Sequence, residues 1–103
     1  MNASAESALL PSATLLFFMP PDWGDLRQRA SAQRLAQAIQ HGVGPRLRVL
    51  RVDTALHPEI MTSFDIHVTP AFVLVQHGTE LWRQEGSTDP ATLTHIARQL
   101  LTT

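Results

Sequence analysis

Leu15-Leu16-Phe17-Phe18-Met19 is an unbroken apolar run closed by Pro20-Pro21. A run this short, apolar on both parities, reads as a strand buried on both faces. That requirement constrains the fold strongly. In a chain of 103 residues such a strand is expected to lie centrally in a sheet, with helices covering both faces.

The remaining punctuation supplies those elements. Asp22 or Asp25 can cap a helix whose core stripe is Ala32, Leu35, Ala36 and Ile39, with Gly42 as its stop signal. Arg48–Asp53 reads as a second strand, and Pro58 opens a short helix over Pro58–Phe64 with Ile60, Met61 and Phe64 facing inward. Ala71–Val75 is a third strand, His77-Gly78 a tight turn, and Glu80–Gln84 a fourth strand that so short a connection makes antiparallel. Asp89-Pro90 starts a last helix with an apolar face of Leu93, Ile96, Ala97, Leu100 and Leu101. The expected class is α/β, with a four-stranded mixed sheet in the order β-α-β-α-β-β-α and helices on both faces. The first βαβ unit is parallel and right-handed. Residues 1–12 are expected to be an N-terminal arm and 13–103 a single domain.

Composition excludes several functions. The net charge is −1, and all eight basic residues are Arg. Arg46, Arg48 and Arg51 decorate both faces of the second strand, so no nucleic-acid patch is expected. There is no cysteine, which removes disulfides, thiolate metal sites and thiol catalysis. The histidines His41, His57, His67, His77 and His95 show no ligand spacing, so neither metal nor cofactor is expected. No nucleophile elbow, P-loop or dinucleotide fingerprint is present, and no catalytic residue is assigned. Residues 1–12 carry no Lys or Arg, unlike a secretory signal, and no apolar run is long enough to span a membrane. A cytoplasmic protein is the expectation.

Three passages resemble the thioredoxin-like superfamily. Val52-Asp53 followed by His57-Pro58 resembles the exit from that family's second core strand. Phe64-Asp65-Ile66-His67-Val68-Thr69-Pro70 resembles its "F-x-I-x-x-x-P" passage. Ala71–Val75, Gly78 and Gly86 resemble its terminal hairpin and the glycine after it. The resemblance implies that Thr69–Pro70 is cis. It also implies that Trp23-Gly24-Asp25-Leu26-Arg27 stands where the redox motif W-C-x-x-C would be, with Gly24 and Arg27 replacing the cysteines. The family's buried acid is missing as well, because Leu16-Phe17-Phe18 is wholly apolar. The catalytic machinery is absent as a set.

What the resemblance leaves is a groove, made of Trp23, Gly24, Asp25, Arg27, His67, Thr69 and Pro70. In the family the backbone of the residue before the cis-proline, here Thr69, pairs with an extended segment of a partner. Trp23 is read either as an anchor for such a segment or as a residue closing the helix start. Arg27 is read either as an anion grip or as a solvated cation. Trp82 is expected to cover one face of the sheet. The expected function is non-covalent binding of a protein or extended peptide, as in an adaptor or chaperone-like assembly factor. The alternatives are a protein that binds glutathione-like or other anions, an enzyme without thiol chemistry, and a self-associating module, for instance a homodimer.

Overall fold

The computed structural model describes residues 13–20 and 26–101. In chain order these form β1 (Ala13–Met19), α1 (Leu26–Val43), β2 (Leu47–Asp53), α2 (Pro58–Ser63), β3 (Ala71–Gln76), β4 (Thr79–Glu85) and α3 (Pro90–Leu100). One sheet runs β2-β1-β3-β4. β1 is parallel to β2 and antiparallel to β3, and β4 returns antiparallel to β3. The expected α/β architecture with a mixed four-stranded sheet is the observed one.

Alternation along β1 and β3 divides the interior into two cores. Ala13, Leu15 and Phe17, with Phe72 and Leu74, face one side, where Ala32 and Ile39 of α1 meet Leu93 and Ala97 of α3. Phe18, Ala71 and Val73 face the other, where Ile60, Met61 and Phe64 of the α2 region pack over Val52 and Ile66. Phe17 and Phe72 are register partners and stack with centroids 4.8 Å apart. Phe18 meets Phe64 edge-on at 5.8 Å. Trp82 is half-buried against the first core.

Two details differ from the sequence reading. α1 does not stop at Gly42. It continues to Val43 and ends at Gly44, whose φ of +91° suits glycine alone. Gly42 serves packing instead, because a Cβ there would lie 2.7 Å from Thr94 Cγ2 of α3. Leu100 is not a core residue. It is 40% exposed, whereas the C-cap Leu101 is buried.

Local chemistry fixes the element ends. His77 and Gly78 both take positive φ, as a two-residue hairpin turn with the sheet's twist requires. Asp89 caps α3, its Oδ1 accepting from the Thr92 backbone N–H at 2.8 Å, and this holds the Asp89 carboxyl below its usual range. α2 closes with Asp65 at φ +55°, while Asp65 N–H donates to the Thr62 carbonyl and Ile66 N–H to the Met61 carbonyl. That is a Schellman closure, and it aims the chain toward Pro70.

Candidate functional site

The parallel pairing of β1 and β2 brings their C-terminal ends to one end of the sheet. Ala71 pairs with Phe18, so Pro70 lies beside Met19 at that same end. Thr54, fully buried, donates its hydroxyl to the Met19 carbonyl at 2.6 Å and ties the exit of β2 to this point. The Thr69–Pro70 peptide bond is cis, as the motif implies.

β4 braces the loop that leads to the cis bond. Glu85 Oε1 accepts the backbone N–H of His67 at 2.6 Å and that of Val68 at 3.4 Å. Gly86 N–H donates to the Pro70 carbonyl at 2.7 Å. Arg83 donates to the Phe64 carbonyl at 2.7 Å and the Asp65 carbonyl at 3.3 Å, while its guanidinium is held by both oxygens of Glu80. The bond from the His67 backbone, seconded by the one from Val68, draws the Glu85 carboxyl below the ordinary glutamate range against the opposing pull of desolvation. Glu80 is lowered in the same way by its bond to Arg83. Sequence reasoning missed Arg83 and Glu85. Only the pairing of β3 with β4 places them under a loop some eighteen residues earlier in the chain, and neither belongs to a motif.

Among the donors of this loop, one group stands apart. The backbone N–H groups of Asp65, Ile66, His67 and Val68 all donate within the protein. The N–H of Thr69 meets no acceptor among the described residues. Thr69 is half-buried at the surface of the sheet end, and exposed Val68 and Leu56 stand at the same end.

The expected site residues fall into four sets. Thr69 and Pro70, joined by the cis bond, stand at the sheet end. His67 is exposed, with its ring Nε2 2.8 Å from Asp65 Oδ1 and its backbone committed to Glu85, so what it brings to the site is loop geometry. Arg27 is an exposed residue in the first turn of α1. Trp23, Gly24 and Asp25 lie outside the described residues, as does Asp22. Among the described residues no three His, Asp or Glu side chains cluster as metal ligands, and no helix is long and apolar enough to cross a membrane.

No protein-family model matches this chain, and no curated protein does. Solved structures do match. Thioredoxin-2, described as a component of the malaria parasite protein secretion machinery, is 20% identical with a TM-score of 0.70, covering 85% of this chain and 82% of its own. The germline-specific thioredoxin Deadhead of the fruit fly Drosophila is 17% identical with a TM-score of 0.72, covering 95% of this chain and 90% of its own. Mitochondrial thioredoxin 3 of Saccharomyces cerevisiae is 20% identical with a TM-score of 0.67, covering 92% and 85%. This chain has the thioredoxin fold and no cysteine with which to perform thiol–disulfide exchange.

Proposed function

We propose that this cysteine-free thioredoxin-fold chain is a non-covalent binder of extended protein segments, an adaptor or assembly factor and not an enzyme. The observation that carries the reading is the Thr69 N–H. It is the one backbone donor in the braced segment 65–69 left without an acceptor among the described residues. A peptide laid across the end of the sheet would bond to that group, with main-chain bonds giving affinity and side chains beside Val68 and Leu56 giving selectivity. Such a complex forms and dissociates without electron transfer.

The test compares Thr69→Pro, which removes the N–H, with Thr69→Ala, which keeps it, in titrations with a panel of extended peptides. Circular dichroism confirms that both variants fold. Binding is expected to fall roughly tenfold or more in the first variant, the scale of one lost hydrogen bond, and to persist in the second. Equal binding by the two refutes the proposal.

A further inference from the structure

β2 is an edge strand, with β1 on one side and no strand on the other among the described residues. Its backbone groups alternate. Arg46 accepts from Ala13 of β1, so Arg48, Leu50 and Val52 also turn their backbone groups toward β1, and Leu47, Val49, Arg51 and Asp53 turn theirs outward. The first half of that outer edge is closed by one side chain from α1. The Gln40 amide donates to the Leu47 carbonyl and accepts the Val49 N–H at 3.2 Å, standing in for a neighbouring strand. A third bond, to the Gly44 carbonyl at 3.0 Å, anchors it.

The second half is open. The Val49 carbonyl, both backbone groups of Arg51 and the Asp53 N–H have no partner among the described residues. Natural sheets cover or blunt such an edge unless it is used. Around it stand exposed Arg48 and Arg51, neither in an ion pair among the described residues, and Leu50, which is 40% exposed.

We propose that the outer edge of β2 from Val49 to Asp53 docks an extended acidic segment of another protein as an added strand. Main-chain bonds would form to Val49, Arg51 and Asp53, with an acidic side chain beside Arg51 and an apolar one beside Leu50. A second copy of this chain fits poorly. The antiparallel register that pairs Val49–Asp53 with itself sets Arg51 directly opposite Arg51 of the other copy, and directly opposed like charges destabilise a ladder. Its partner bonds to the outer edge of β2, whereas the Thr69 groove lies across β1 at the start of β3, so the two sites share one end of the sheet but use different backbone groups.

The probe is a short peptide of alternating glutamate and valine, titrated into the full chain and followed by backbone amide spectra. The expected result is a shift of the Arg51 and Asp53 amides, with no binding by the lysine–valine counterpart. N-methylating the peptide's pairing edge, which leaves the protein untouched, should abolish the effect. Raising salt from about 50 mM to about 500 mM should weaken binding roughly tenfold or more, as should the Arg48→Glu, Arg51→Glu double variant. Thr69→Pro should leave it unchanged, so this site and the Thr69 groove fail or survive separately. The proposal is overturned by absent binding, by equal binding of the lysine peptide, or by shifts confined to residues 64–70. It is also overturned if the Arg51 amide is already protected in the free protein, the sign that residues 1–12 or a second copy occupy the edge.

Discussion

Glu85 holds the loop of the candidate site by accepting two consecutive backbone N–H groups, and a carboxylate does this better than a neutral side chain. Its carboxyl is lowered in the folded protein, so the brace is complete above the unfolded glutamate value of about 4.3 and is lost as pH falls through the lower folded value. The amide signals of His67 and Val68 should therefore move together in an acid titration, with a midpoint below that of an ordinary glutamate. In Glu85→Gln that titration should vanish. Persistence of the titration in Glu85→Gln would show that a group other than Glu85 moves the two amides. Legibility among single residues was uneven. The cis bond at Pro70 was readable because a local motif carries it. Glu85, Arg83 and Gln40 were not, because each acts on backbone brought to it by tertiary structure, and a lone polar side chain on a strand or helix announces no such partner.

Among the elements, the contact between α1 and α3 rests on a missing side chain. Gly42 sits in the last turn of α1, and a Cβ there would meet Thr94 Cγ2 at 2.7 Å and Oγ1 at 3.1 Å. Alanine is about 1 kcal/mol better than glycine inside a helix, and overpacking costs about 1–3 kcal/mol. The clash with Thr94 therefore outweighs the gain in helix propensity, and Gly42→Ala is expected to lower stability in urea unfolding. Adding Thr94→Ala should reverse the loss by making room, a coupling that two independent sites would not show. In the first core Phe72 is fully buried against Phe17, and Phe72→Ala should cost about 3–5 kcal/mol in the same measurement. The elements were largely legible. The alternation of β1 and β3, the Pro58 and Asp89-Pro90 helix starts and the His77-Gly78 turn are local signals that tertiary structure did not override. Gly42 misled because a glycine near a helix end looks like a stop signal, and only the position of α3 shows that its role is close approach.

At the scale of the whole molecule, topology places the chemistry. Parallel β1 and β2 end together, the antiparallel β3 begins there, and the hairpin carries Arg83, Glu85 and Gly86 back under the cis-proline loop. A right-handed crossover and a short hairpin made this arrangement derivable from element order. The absence of cysteine was equally plain and removes thiol exchange while leaving the backbone geometry in place. Complexes of this protein should thus form and dissociate identically with and without a reductant such as dithiothreitol, in contrast to mixed disulfides. Whether the Thr69 N–H receives a partner's backbone is decided by hydrogen exchange at that amide, measured with and without a bound extended peptide. Fast exchange is predicted in the free protein and marked protection in the complex. A peptide that binds while the Thr69 amide exchanges as before would contradict the proposed function.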